Sequence, residues 1–165
     1  MEKCALVVVD VQNYFINEHT SNIPQKISNF ISEHGNEFNF ILFTKFVNRE
    51  DSNFVKLMNW RECMSSPDID ISPELSRFIE KSNVFIKNSY SAFKSKKFSE
   101  FLKKNEIRKI FLCGVDIDAC ILATAFDAFD LGYDVKILKN LCGSHYGKKF
   151  HESALQIINK NIFKC

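Results

Sequence analysis

The sequence predicts an α/β protein: a three-layer, doubly wound sandwich around a five- to six-stranded, mainly parallel sheet. Three observations predict it. Short apolar runs alternate with longer segments of helical periodicity along the whole chain. The runs are almost continuously apolar, as strands covered on both faces are. Crossovers between parallel strands are right-handed, which places helices on both faces of the sheet.

Taken in order, residues 4–9 read as the first strand. Pro24 to His34 reads as a helix with Ile27, Phe30 and Ile31 on one face, stopped by Gly35. Phe40–Phe43 is the second strand. Residues 47–71, rich in Asn, Asp and Ser, read as irregular. Ser72 is placed to cap a helix with Pro73 at its first position and Leu75, Phe78 and Ile79 turned inward. Residues 84–86 form the third strand and 97–105 a helix with Phe98, Phe101 and Leu102 apolar. Ile110–Cys113 is the fourth strand. A helix over 118–131, capped by Asp118 and ended by Gly132, precedes the fifth strand, Val135–Leu138. A last helix covers about 148–160, and Ile162–Phe163 is placed to add a short edge strand.

The 165 residues suffice for one domain, 1–165, with a sizeable core. The chain is 45% hydrophobic, and its 22 basic and 20 acidic residues nearly cancel. That balance makes no case for nucleic acid as a partner. The first apolar run is short and ends in Asp10, unlike a signal peptide. No apolar stretch approaches the ~20 residues of a membrane helix, so no membrane partner is expected. The six cysteines are irregularly spaced, and no C-x-x-C pair occurs. Free thiols in a reducing, cytoplasmic compartment are expected rather than disulfides or a zinc site.

Ligands of doubly wound sheets bind beyond the carboxyl ends of the strands. Asp10 and Lys87 each close an apolar run, and Cys120 follows the turn after the fourth strand. A carboxylate, an amine and a thiol at three strand ends are the inventory of a cysteine-nucleophile hydrolase. Cys120 falls on the first turn of a helix, where amide hydrogens and the helix dipole favour thiolate. It is therefore expected to alkylate faster than the other thiols, and at lower pH. Asp10 is placed to take the thiol proton and Lys87 to offset the repulsion between carboxylate and thiolate. The turn from Val115 to Cys120 offers amide hydrogens for an oxyanion, each worth ~2.7–4 kcal/mol of barrier height. Phe15, Trp60 and Tyr90 are candidates to line a substrate pocket, with core packing the competing reading. Gln12 reads as a support for the Asp10 loop, and Asp118 as a helix cap. The loop from Gly143 to Gly147 is too unspecific for a phosphate cradle.

These residues resemble the isochorismatase-like cysteine hydrolases, which include nicotinamidases and carbamoyl-amide hydrolases. Asp10-Val11-Gln12-Asn13-Tyr14-Phe15 is similar to the family's D-x-Q-x-x-F motif. Lys87-Asn88-Ser89-Tyr90-Ser91-Ala92-Phe93 is similar to K-x-x-Y-S-A-F, and Gly114-Val115-Asp116-Ile117-Asp118-Ala119-Cys120 to G-V-x-T-D-x-C. The likeness runs from about Lys3 to Phe163, in family order and spacing. It implies a catalytic triad of Asp10, Lys87 and Cys120, a thioester intermediate, and an amine or ammonia as first product. It also implies a cis peptide at Val115–Asp116 and oxyanion donors from the amides of Asp116 and Cys120.

Two departures stand out. Ile117 replaces the usual Thr, removing a hydroxyl from the turn. The nicotinamidase metal motif, D-x-H plus a further His, is replaced by Thr44-Lys45-Phe46-Val47-Asn48-Arg49. His19, His34, His145 and His151 lack ligand spacing. The expectation is therefore no metal, no cofactor and a small-molecule substrate. Arg49 and Lys45 are candidates to greet an anionic substrate, though a solvated loop role competes for each. The family's dimers and tetramers leave a homo-oligomer open. Two rival readings are a vinyl ether hydrolase of the isochorismate type, which Cys120 disfavours, and an inactive binding module on the same fold.

Overall fold

The computed structural model describes residues 2–162. Strands β1 (Lys3–Val9), β2 (Phe40–Phe46), β3 (Val84–Lys87), β4 (Ile107–Val115) and β5 (Asp134–Gly143) build one sheet. Their order is β3-β2-β1-β4-β5 and every pairing is parallel. Helices α1 (Ile23–His34), α2 (Asn53–Met58), α3 (Lys96–Lys104), α4 (Leu122–Asp130) and α5 (Lys148–Asn161) complete the chain, with both faces of the sheet covered. The core lies between these layers, with Leu6, Leu42, Phe43, Ile110 and Leu112 from the strands fully buried. Burying such side chains contributes roughly 1.5–3 kcal/mol each before conformational entropy is counted.

The strand order reverses between β1 and β4, and that crevice is where doubly wound sheets hold ligands. Gly114 makes the two strands meet closely there. Its φ is +115°, and a Cβ on it would lie 2.2 Å from the carbonyl oxygen of Val9. Only glycine fits, and the consequence is that the turn after β4 begins beside Asp10.

Several elements differ from expectation for identifiable reasons. Strands β4 and β5 run well past their apolar cores, because ladder hydrogen bonds continue where one face turns polar. The segment 47–71 is not wholly irregular: Ser52 caps α2 by accepting the Val55 amide at 3.2 Å. Residues Pro73–Phe78 form a 3-10 helix rather than an α-helix. Leu75 and Phe78 are three apart, which suits three residues per turn. Ser72 does not cap it; its hydroxyl donates to the Glu74 carboxylate at 2.7 Å. The helix expected from Asp118 instead opens with a π-helical turn, Ile117–Ile121, in which the Ile121 amide donates to the Asp116 carbonyl at 3.0 Å. Asp118 makes no cap. Ile162 ends α5, donating to the Ile158 carbonyl, so it adds no strand; Phe163 lies outside the described residues. No helix among the described residues is long and apolar enough to cross a membrane.

The described cysteines are all free. Burial pushes the thiols of Cys63 and Cys142 up to about 12 from an ordinary 9. Between those values the unfolded chain has released the thiol protons while the folded chain keeps them. Fewer protons are bound in the unfolded state, so stability falls as pH rises. Each such thiol contributes a slope of about 1.4 kcal/mol per pH unit. Urea midpoints measured from pH 8 to 11 should therefore drop steadily above pH 9, and Cys142→Ala should make the drop shallower. A flat midpoint across that range contradicts the assignment.

Candidate active site

Asp10 is the first residue beyond β1 and adopts a left-handed conformation, φ 49°, which Asp tolerates better than most side chains. That bend points its carboxylate across the sheet end rather than along it. The Thr44 hydroxyl, from β2, accepts the Asp10 amide at 3.2 Å and donates to Asp10 Oδ1 at 2.7 Å. One side chain thus holds both the backbone and the carboxylate of Asp10. Gln12 stitches the same loop from beneath: its amide donates to the Phe46 and Ile69 carbonyls at 2.8 and 3.0 Å, and its oxygen accepts the Phe46 amide at 2.7 Å.

Lys87 is the last residue of edge strand β3, opposite Phe46 in the ladder. Its long side chain crosses under β2 to the Asp10 carboxylate. Its Nζ faces three partners: it ion-pairs with Asp10 Oδ2 at 2.6 Å and donates to the Ser89 carbonyl at 2.8 Å and Cys120 Sγ at 3.4 Å. The Lys87 and Asp10 side chains are 0% and 1% exposed. Asp10 Oδ2 has no hydrogen bond of regular geometry and is balanced by the ammonium instead. Burial acts to lower the Lys87 pKa, but Asp10 and Cys120 outweigh it and hold the ammonium above its ordinary value. Lys87 therefore stays charged.

Cys120 lies in the π-helical turn and is 8% exposed, its residual surface opening into a cavity of about 310 Å³. Ala119, Asp116 and Asp118 of the same turn also line this cavity. The peptide bond between Val115 and Asp116 is cis. Ile117 of this turn is fully buried in the core, so the side chain that replaces Thr packs against apolar neighbours. The three aromatic candidates all reach the cavity: Phe15 from the loop after β1, Trp60 from beyond α2, and Tyr90 from the loop after β3. Trp60 Nε1 donates to the Tyr14 hydroxyl at 3.2 Å.

The structure adds residues that the sequence did not point to. Phe54 and Met58 arrive from α2, whose Ser52 cap and four-residue apolar spacing were the available signal. Tyr146 and Phe150 arrive from the start of α5 and the loop before it. Thr44 is visible only through sheet register. His145 is another: its ring Nδ1 bonds Asp116 Oδ2, and its amide donates to Asp116 Oδ1 at 2.8 Å. Burial raises the Asp116 pKa, and the His145 contacts pull against that rise. Asp118 Oδ1 is buried without a hydrogen-bond partner. The two loop cations lie elsewhere: Lys45 pairs with Asp70 at 3.8 Å, and Arg49 pairs with Asp51 at 3.4 Å in a neighbouring groove. Among the described residues, no three His, Cys, Asp or Glu side chains are grouped so as to hold a metal ion.

A profile of the isochorismatase domain matches residues 4–164. The chain belongs to the isochorismatase family. Among curated relatives, isochorismatase domain-containing protein 2 of Xenopus laevis is 37% identical over 60 residues. That match covers 36% of this chain and 29% of the relative, so the chain spans under a third of that protein's length. Among solved structures, an isochorismatase-like hydrolase from Alkaliphilus metalliredigens superposes with a TM-score of 0.84 at 21% identity, covering 96% of this chain and 91% of that one. A nicotinamidase from Bacillus subtilis gives 0.83 at 22%, covering 97% and 96%. At these identities, the two structures establish the shared fold.

One expectation for this isochorismatase-family chain meets an opposing cause in the structure. Burial pushes the Cys120 thiol well up instead of letting it ionise. Lys87 pulls the other way, but its charge is already balanced by Asp10, which itself raises the thiol. Asp10→Asn leaves the ammonium facing the sulfur alone, so thiolate should appear at lower pH. Alkylation of Cys120 by iodoacetamide, followed by peptide mass spectrometry from pH 6 to 11, should shift its midpoint down by one or more pH units. An unchanged midpoint contradicts the coupling.

Proposed function

We propose that this protein is a cysteine hydrolase that cleaves a small-molecule amide or related C–N bond. One observation carries the reading: a single ammonium lies within 2.6 Å of a buried carboxylate and 3.4 Å of a thiol that opens onto a cavity. Membership of the isochorismatase family supports it, as does the amidase named among its structural neighbours.

In this reading Cys120 is the nucleophile, Asp10 the proton carrier and Lys87 the electrostatic bridge. The resting thiol is neutral, so attack and deprotonation are coupled. Sγ attacks the carbonyl carbon of the substrate as the Asp10 carboxylate takes the thiol proton. The carbonyl oxygen gains the displaced electron pair, and the amides of Asp116 and Cys120 donate to it. Collapse of this intermediate breaks the C–N bond, and Asp10 returns its proton to the leaving nitrogen. An acyl thioester remains on Cys120. Water then attacks that carbonyl while Asp10 takes a proton from the water; the C–S bond breaks, Asp10 returns that proton to sulfur, and the acid leaves with the thiol restored. Lys87 keeps the Asp10 pocket neutral through the cycle. Phe15, Trp60 and Tyr90 act in substrate binding, as walls that keep bulk water from the thioester. No step calls on a metal or cofactor. The thiol's opening onto the cavity favours this route over vinyl ether hydrolysis, which needs no sulfur.

Screening small primary amides for ammonia release identifies a working substrate. Rapid quench and intact mass should then show an acyl adduct on Cys120. Cys120→Ala should lower turnover by at least about 10⁴-fold while its circular dichroism and melting curve match the parent. Turnover by that variant at the parent's rate would refute the covalent route.

A further inference from the structure

We infer that the cavity selects a flat amide whose far end carries a positive charge or a donating nitrogen, and rejects carboxylated amides. This rests on the amide-hydrolase reading above and names its substrate class. At about 310 Å³ the cavity is near the lower limit for ligand sites, so the substrate is about the size of one ring with its substituents. Phe54, Trp60, Tyr90 and Tyr146 contribute to an aromatic wall. Ring faces are negative and attract cations.

The ionisable groups along the wall point the same way. Among the described residues, no Lys or Arg lines the cavity. The Lys87 side chain is wholly buried behind Cys120 and balanced by Asp10. Asp116 is occupied by the ring and amide of His145. With its carboxylate ionised, that pair is neutral or negative, whichever protonation state His145 adopts. Asp118 is different. It lines the cavity, and its buried Oδ1 has no donor among the described residues. A buried carboxylate left without a donor is under-compensated, and a positive charge held in the cavity beside it offsets that charge. A carboxylated substrate would meet two acids and a wall whose other polar groups are the Tyr90 and Tyr146 hydroxyls and the His145 ring, with no ammonium or guanidinium among the described lining residues to balance it. Arg49 and Lys45, the cations the sequence offered for an anion, are paired outside this wall.

Three matched probes test the inference on the Cys120→Ala protein, which binds without turning over: benzamide, 4-(aminomethyl)benzamide and 4-carboxybenzamide. Calorimetry at pH 7 should rank the ammonium probe about tenfold tighter than benzamide and the carboxylate probe about tenfold weaker. Adding Asp118→Asn should erase the ammonium probe's advantage. Equal or tighter binding of the carboxylate probe, undetectable binding of the ammonium probe, or a preference untouched by Asp118→Asn overturns the inference. The hydrolase reading fails separately. If the ranking holds but the parent protein releases ammonia from none of the three, and from no other amide screened, the charge preference stands and the hydrolysis claim falls.

Discussion

Placing an ammonium and a carboxylate together inside a protein is expensive, because each loses its water and their attraction must make up the loss. The Lys87–Asp10 pair meets that demand by close contact and by its neighbours. Lys87 donates to the Ser89 carbonyl and Cys120 Sγ while its ammonium ion-pairs with Asp10 Oδ2, and the other Asp10 oxygen is held by Thr44. The partners come from β1, β2, the loop after β3 and the turn after β4. The pair is satisfied only when the carboxyl ends of four strands are in register. Gly114 permits the closest of those approaches, and Gln12 fixes the loop that carries the carboxylate. The same arrangement that makes the pair tolerable therefore assembles the site.

This arrangement also explains a neutral resting thiol. A lone lysine beside Cys120 would draw the proton off. A lysine already balanced by a carboxylate does so weakly, and burial prevails. Charge separation is then deferred until a carbonyl carbon is present to accept the sulfur, when Asp10 stands ready for the proton. The aromatic wall serves this chemistry by excluding water, which strengthens every charge interaction inside.

Much of the sheet was legible because buried parallel strands must be apolar along their length, and a charged residue ending such a run is conspicuous. Asp10, Lys87 and the turn holding Cys120 could be read for that reason. What could not be read depends on contacts between distant segments. Thr44 matters because the ladder sets it beside Asp10, and nothing local marks it. His145 reaches Asp116 through the pairing of β5 with β4, across 29 positions. Asp118 looked like a cap, since an acidic residue before an apolar helix commonly is one. The π-helical turn displaces it from that role and leaves it lining the cavity. The wall residues from α2 were obscured because polar neighbours masked a short helix, and the helical state of Ile117–Ile121 has no spacing signal of its own.

Lys87 and Asp10 are stable in the core only as a pair. A double-mutant cycle in folding stability tests this most directly, using Lys87→Met, Asp10→Asn and the double variant in urea at pH 7. Each single change should cost about 3–5 kcal/mol by stranding its partner, and the double variant should cost far less than their sum. Additive losses would show that the two side chains are buried independently, and the account of the site built on their pairing would not survive.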